Sequence, residues 1–245
     1  MTDDFSGSVY DQTFGSILHY QDLARTLKTI FLEFALGGFV DLACGTGLLL
    51  AAAEAEGGFV HLVGIDHDPA QLAVAKTRTS SELLTFDLHD LRKVRNSLQV
   101  ETPLIHLGFC FLNTLQPDIR VSLLRQIRGI LENGVFVFEI QNEFHQNTFF
   151  RNWIWYHSVL KNGVEMDSMS SPLFRPATRR LRMRFSTDGK ALVSRSQMYR
   201  WTLDHCLSQC QQCGFQVIRA QPALYRELDH GVPTHWLVVC RKDLA

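Results

Sequence analysis

Short apolar runs alternate with longer amphipathic stretches through roughly the first 140 residues. An apolar run followed by a stretch of helical periodicity is typical of a parallel sheet covered by helices. The predicted helices are 23–34, 48–55, a helix opened by Pro69, and 119–131. The predicted strands are 39–42, 60–65, 83–86, 104–109 and 135–140, the last apolar enough for a central parallel strand.

The pattern changes between about residues 150 and 201, where short alternating stretches are separated by turn signals. In 180–185, arginines alternate with apolar residues, which predicts a strand. Helix and strand patterns then return at 203–213, 215–220 and 235–240. The chain is therefore predicted to have one domain formed by 1–149 and 202–245, with an antiparallel unit, 150–201, inserted into it.

An acid lies at the end of each of the first two predicted strands, and a glycine loop lies between them. The first strand runs into Asp41, and Gly45-Thr46-Gly47 opens the following helix. The second strand ends at Asp66, whose carboxylate can accept hydrogen bonds from two ribose hydroxyls. Glycine lets a ligand approach the backbone closely. Position 50 is Leu50 rather than a third glycine, so the spacing predicts a nucleoside site without the dinucleotide fingerprint.

These residues resemble the class I S-adenosylmethionine-dependent methyltransferases. Motifs of that family are matched by 40–47, 64–66, 86–91, 104–115 and 131–136. The resemblance implies an α/β fold with a Rossmann-like seven-stranded sheet, mostly parallel with an antiparallel last strand, flanked by helices. It also implies a small antiparallel strand lid inserted after the fifth strand.

The resemblance implies S-adenosylmethionine as cofactor, S-adenosylhomocysteine as product and no metal. The implied cofactor-binding residues are Tyr10, Tyr20, Asp41, Ala43, Cys44, Gly45, Gly47, Asp66, His67, Asp87, Leu88 and Phe109. The two tyrosines would line the sulfonium and carboxylate, since an aromatic ring attracts a cation. Alternatively, both tyrosines pack only within the fold.

Within the class, the chain looks most like the small-molecule N- and O-methyltransferases. That likeness implies in-line methyl transfer to nitrogen or oxygen of a metabolite, with positioning supplying much of the rate. The catalytic candidates are His145 and Tyr199. The alternative for His145 is an ordinary surface histidine without a catalytic role. The candidate substrate residues are Gln141, Trp153, Tyr156 and Arg200. Arg180, Arg182 and Arg184 either hold a phosphate or carboxylate of the substrate, or form a solvated face or a blunted sheet edge.

Composition and charge exclude other classes. The net charge of −1 gives no global basis for binding nucleic acid or an anionic membrane. No apolar run reaches the length of a spanning helix, and the acidic start predicts no signal peptide. Six scattered cysteines predict reduced thiols of a cytoplasmic protein. Cys206, Cys210 and Cys213 are expected to share one buried helix face rather than bind a metal.

The expected partner is a small-molecule substrate, with no nucleic acid and no membrane; a homodimer is left open. Asn113-Thr114-Leu115 stands where base-amine methyltransferases carry a different motif, which disfavours nucleic-acid methylation. Two alternatives remain. One is a non-catalytic S-adenosylmethionine-binding protein, and the other is a protein or RNA methyltransferase that docks through the arginine row.

Overall fold

Two sheets organise the part of the chain that the computed structural model describes. That part is residues 11, 20–86, 100–141, 154–159, 165–172, 178–187, 190–223 and 235–243, with 154–196 described by their backbone. The larger sheet has seven strands and the smaller has four.

The helices are α1 Tyr20–Glu33, α2 Leu48–Glu56, α3 Pro69–Ala75, α4 Phe111–Thr114, α5 Pro117–Ile130 and α6 Leu203–Gln212. The strands of the larger sheet are β1 Gly38–Leu42, β2 Leu62–Asp66, β3 Glu82–Thr85, β4 Pro103–Leu107, β5 Val135–Gln141, β10 Phe215–Ala223 and β11 His235–Lys242. Their order is β10-β11-β5-β4-β1-β2-β3. Strands β1 to β5 are parallel, and β11 runs antiparallel to both of its neighbours. The predicted Rossmann-like sheet with an antiparallel last strand is confirmed.

Apolar side chains from both faces of the larger sheet form the core. On one face, Val40 and Leu42 of β1 pack with residues of α5 and α6. On the other face, Phe39 packs with residues of α1, α2 and α3. Each fully buried aliphatic or phenyl side chain contributes roughly 1.5–3 kcal/mol. The sheet is therefore held between two helical layers. The loops that follow the strands lie together at the carboxyl edge of the sheet.

Several predicted strand boundaries are wrong, including the ends of β10 and β11, which are Ala223 and Lys242 rather than 220 and 240. Strand β2 begins at Leu62 rather than at 60, and Val60 is 82% exposed. Strand β4 ends at Leu107 rather than at 109, because Phe109 and Cys110 have positive φ angles of 56° and 49°. Those angles are incompatible with an extended strand. The fifth strand, predicted from its apolar character, also contains a buried acid, Glu139.

The inserted strands form an antiparallel sheet in the order β6-β7-β8-β9. Their bounds are β6 Ile154–Val159, β7 Glu165–Pro172, β8 Thr178–Thr187 and β9 Lys190–Tyr199. The arginine row lies on β8, which pairs with both β7 and β9. The interpretation of this row as a blunted sheet edge is therefore wrong. In the backbone register, Arg182 stands opposite Arg195 of β9.

The chain leaves the inserted sheet and enters the core at Trp201, which is fully buried. The guanidinium of Arg120 lies 4.3 Å from the centroid of the Trp201 ring. Its Nε donates to the carbonyl of Leu112 at 2.8 Å, and one terminal nitrogen donates to that of Leu115 at 3.1 Å. Burial lowers the pKa of Arg120 to about 10. This side chain thus joins α4, α5 and the exit of the inserted sheet. Cys206 and Cys210 of α6, and Cys213 directly after it, are all buried, as expected.

We expect Arg120→Met to lower the free energy of unfolding by roughly 2 kcal/mol or more, because two buried carbonyls lose their donor. Urea unfolding followed by circular dichroism measures the change. Arg125→Met, at an exposed position of the same helix, is the control and should shift the midpoint little. An unchanged midpoint in Arg120→Met would contradict the anchoring role.

Candidate active site

Residues with left-handed backbone cluster at the carboxyl ends of β1 and β4. Ala43, Gly45 and Gly47 follow β1 with φ angles of 57°, 55° and 75°. Phe109 and Cys110 follow β4, which is the neighbour of β1 in the sheet. Strained non-glycine residues tend to persist where function requires them, and open α/β sheets bind ligands at this edge. We therefore take this edge as the candidate active site.

The two glycines of the loop have different structural roles. A Cβ on Gly47 would lie 3.0 Å from the Cβ of Ala75, so this glycine lets the loop pack against α3. A Cβ on Gly45 would meet no atom within 4 Å, so this glycine borders open space. The loop consequently presents bare backbone where a ligand can approach.

The Asp66 carboxylate is fixed at the end of β2 by backbone donors. The N–H of Gly45 donates to Oδ2 at 2.8 Å, and the N–H of Asp68 donates to Oδ1 at 2.9 Å. Asp66 is 5% exposed, while the side chain of His67 is 74% exposed and lies 3.2 Å from Oδ1. Each carboxylate oxygen retains acceptor capacity. Two acceptors beside open space suit a ligand with two adjacent hydroxyls, as a ribose has.

Asp41 is also buried, but part of its carboxylate is already occupied. Oδ1 lies 2.8 Å from Nδ1 of His106, which stands opposite it on β4. Burial raises the pKa of Asp41, the hydrogen bond and charge of His106 oppose that rise, and the nearby Asp66 carboxylate adds to it. Asp41 therefore belongs to a buried Asp–His pair as well as to the predicted cofactor edge.

A third buried acid fixes the loop after β4. Glu139, 1% exposed on β5, accepts the N–H of Phe109 through Oε2 at 2.9 Å. The Phe109 side chain is left 47% exposed at the edge. Neither His106 nor Glu139 was among the predicted site residues. The signal that could have found them is a polar residue near the carboxyl end of an otherwise apolar strand.

Asn113 brings two predicted residues together. Its Oδ1 accepts the N–H of Gln141 at the end of β5 at 3.2 Å. Its Nδ2 donates to the carbonyl of Tyr199 at the end of β9 at 3.3 Å. Asn113 is fully buried, and Arg200, next to Tyr199, is exposed. The backbones of Gln141 and Tyr199 are therefore held at one place, where the inserted sheet meets the carboxyl edge.

A charged clasp, formed by Asp11, Thr46 and Arg78, holds the glycine loop from outside. The hydroxyl of Thr46 donates to Oδ1 of Asp11 at 2.5 Å. The Arg78 guanidinium donates to both carboxylate oxygens of Asp11, and to the carbonyl of Thr46 at 2.8 Å. These contacts join residues far apart in the chain, and no local sequence pattern indicates them.

The remaining predicted residues divide into two groups. Cys44 is buried in the loop, where burial raises the pKa of its thiol, and Tyr20 at the start of α1 packs against the core. Tyr10, Asp87, Leu88, His145 and Trp153 lie outside the described residues, and only the backbone of Tyr156 is described. Their roles stay predictions.

Among the residues that the structure describes, no group of three or more His, Cys, Asp or Glu side chains could hold a metal ion. No helix among them is long and apolar enough to cross a membrane.

Comparison with known proteins agrees with this geometry. Residues 39–134 match the family described as "Methyltransferase domain". Malonyl-[acyl-carrier protein] O-methyltransferase of Bacillus cereus is 28% identical over 125 residues, which cover 50% of this chain and 46% of that protein. The match thus spans about half the length of this relative.

Solved structures share the fold over nearly the whole chain. An S-adenosylmethionine-dependent methyltransferase from Clostridium acetobutylicum aligns with a TM-score of 0.75 at 15% identity, covering 96% of this chain and 97% of its own. S-adenosylmethionine-bound CalS10, an amino pentose methyltransferase from Micromonospora echinaspora, aligns with a TM-score of 0.72 at 17% identity and the same coverage.

The sheet order and the helices on both of its faces define a Rossmann-like α/β fold. Residues 39–134 match the methyltransferase domain family, and the predicted resemblance to class I S-adenosylmethionine-dependent methyltransferases is confirmed.

We expect Asp66→Ala to weaken binding of S-adenosylhomocysteine about tenfold or more, since two charge-assisted hydrogen bonds to a ligand are lost. Isothermal titration calorimetry measures the dissociation constant. Asp68→Ala, which leaves the Asp66 carboxylate in place, is the matched control. The ribose assignment fails if Asp66→Ala binds as tightly as the unmodified protein.

We expect Arg78→Met to weaken cofactor binding several-fold, because the clasp no longer fixes the Thr46 carbonyl and the Asp11 carboxylate. Stopped-flow fluorescence should show faster ligand release. Arg25→Met removes an arginine from exposed ion pairs with Asp22 and Glu56 and should leave the release rate unchanged. Identical rates in both variants would exclude a role for the clasp.

Proposed function

We propose that the chain transfers a methyl group from S-adenosylmethionine to nitrogen or oxygen of a small-molecule metabolite. The observation that carries this proposal is the buried Asp66 carboxylate, held by the N–H of Gly45 beside open space. The match of residues 39–134 to the methyltransferase domain family and the antiparallel insertion after β5 support it.

The described residues fit the cofactor. Asp66 would accept the ribose hydroxyls, the backbone at Gly45 would lie against the ligand, and Phe109 would cover part of it with an exposed ring. The predicted contacts of Tyr10, Asp87 and Leu88 belong to the same proposal. When bound, S-adenosylmethionine supplies a methyl group on a positively charged sulfonium. That charge activates the sulfur as a leaving group.

The protein's remaining task is to position the acceptor and to take up its proton. Asn113 fixes the backbones of Gln141 and Tyr199 at the carboxyl edge. The backbone positions from which both side chains extend are therefore defined. Gln141 and Arg200, with Trp153 and Tyr156 of the insertion, are the proposed substrate contacts. Tyr199 and His145 are the proposed groups that orient the acceptor or receive its proton. Ordering these groups around one edge supplies catalysis by proximity.

The arginine row supports a substrate with an anionic group. Like charges directly opposite one another on neighbouring strands are destabilising. Arg182 and Arg195 occupy such positions in the register of β8 and β9, and Arg180 and Arg184 flank Arg182 on the same strand. A phosphate or carboxylate of the substrate would offset this repulsion. The row is equally the surface that a protein or RNA substrate would use.

The two kinds of relative support different acceptors. The Bacillus cereus relative is named as an O-methyltransferase, and CalS10 is named as an amino pentose methyltransferase. We therefore propose nitrogen or oxygen as the atom that accepts the methyl group. The six cysteines, all described as buried free thiols, support the proposed cytoplasmic location.

Transfer of a labelled methyl group from S-adenosylmethionine into cell extract tests the function, with products separated by size. We expect label in the small-molecule fraction, and several-fold less with Asp66→Ala when the cofactor concentration lies below the dissociation constant of the unmodified protein. Label in protein or RNA would replace the small-substrate proposal with the macromolecular alternative. No label in any fraction, with cofactor binding intact, would favour the non-catalytic alternative.

A further inference from the structure

The short helix α4 lies between the loop that carries Phe109 and the two ends of the inserted sheet. Asn113 of α4 bonds to the backbone at both of those ends, and Glu139 of β5 holds the loop. We propose that α4 couples the two regions, so that cofactor bound against Phe109 orders the inserted sheet, with Asn113 as the positioning residue. This inference rests on the proposed cofactor.

The first step concerns the connection between Phe109 and α4. Phe109 and Cys110 both have a left-handed backbone, and α4 begins at the next residue. The N–H of Phe111 donates to the carbonyl of Gly108 at 3.1 Å. The N–H of Asn113 donates to the carbonyl of Cys110 at 2.8 Å. The turn and the helix therefore share backbone hydrogen bonds, and a change in the turn would shift α4.

The second step concerns β5, which holds this segment at both of its ends. Oε2 of Glu139 accepts the N–H of Phe109 at 2.9 Å. Two residues further along β5, the N–H of Gln141 donates to Oδ1 of Asn113 at 3.2 Å. Glu139 and Asn113 are both buried, and hydrogen bonds in a buried environment are stronger than in water. The segment 109–113 is therefore held as one unit against the end of β5.

The third step concerns the exit of the inserted sheet. Nδ2 of Asn113 donates to the carbonyl of Tyr199, the last residue of β9, at 3.3 Å. Trp201 follows two residues later, and its ring lies against the guanidinium of Arg120. The same guanidinium donates to the carbonyl of Leu112 in α4. Two independent contacts thus tie the exit of the insertion to α4, and a shift of α4 would move the end of β9.

The fourth step concerns what a ligand changes. The left-handed turn is strained at non-glycine residues, and such a turn persists only where its surroundings hold it. The ring of Phe109 is 47% exposed, and a cofactor that covers it adds contacts to this arrangement of the turn. Binding therefore shifts the population toward the arrangement in which α4 holds the insertion. Because Asn113 bonds to backbone atoms, this coupling does not depend on which side chains the insertion carries.

Hydrogen exchange of the full chain, followed by mass spectrometry with and without S-adenosylhomocysteine, tests the coupling. We expect the ligand to slow exchange of the β9 amides about fivefold or more, as is typical of coupling between two sites. Asn113→Leu, compared at equal ligand occupancy, should lose most of this slowing. Exchange in the glycine loop after β1 should still slow in this variant, because the cofactor edge still binds the ligand.

Thr114→Val is the matched control, since the Thr114 hydroxyl donates to the carbonyl of Phe111 within α4, and it should keep the slowing in β9. If Asn113→Leu does not fold, Phe109→Gly provides the second variant, because glycine suits the left-handed backbone. It should bind the ligand more weakly and, at equal occupancy, also lose the slowing in β9.

Two results would overturn the coupling. One is a ligand that leaves β9 exchange unchanged in the unmodified protein. The other is faster exchange in Asn113→Leu with the ligand-induced slowing retained, which would reduce Asn113 to a structural residue. Failure of the unmodified protein to bind S-adenosylhomocysteine would instead refute the proposed function, on which this inference rests.

Discussion

The hydrogen bond from the Gly45 N–H to the Asp66 carboxylate is the contact on which the carboxyl edge depends. It joins the glycine loop after β1 to the end of β2, and the same carboxylate receives the N–H of Asp68 at the start of α3. Two hydrogen bonds to one buried carboxylate therefore join three segments of the chain. Because the donors are backbone groups, their positions follow from the path of the chain rather than from a side-chain rotamer.

A layer of buried polar groups lies on the carboxyl end of an otherwise apolar sheet. Asp41, His106 and Glu139 occupy β1, β4 and β5, on the face that packs against α1 and α2. Toward the amino end, the same face is built from Phe39, Leu104 and other apolar residues. Buried polar groups cost free energy unless they are satisfied, so their concentration at this end of the sheet supports the placement of the proposed site there.

Much of this architecture could be predicted from the sequence, because strand periodicity and the two acidic strand ends are local patterns. The first five strands, Asp66 and the glycine loop follow from those patterns, whereas the seven-stranded Rossmann-like sheet was implied by the family resemblance. The pairing of Asp41 with His106 could not be predicted, since it depends on the register of strands whose residues lie 65 apart. The contact of Asp11 with Arg78 spans 67 residues and has no local signal. The end of β4 was misplaced because Phe109 has a high strand propensity while its backbone is left-handed.

A single side chain, that of Asn113, attaches both ends of the inserted sheet to the larger sheet. One amide side chain holds both the last residue of β5, where the insertion departs, and the last residue of β9, where it returns. One side chain outside the insertion thus contacts the backbone at both of its ends. Such an insertion can behave as an exchangeable module: its length and composition can diverge without disturbing the parent sheet. Divergence of acceptor preference would then be concentrated in that segment, while the cofactor edge stays under separate constraint.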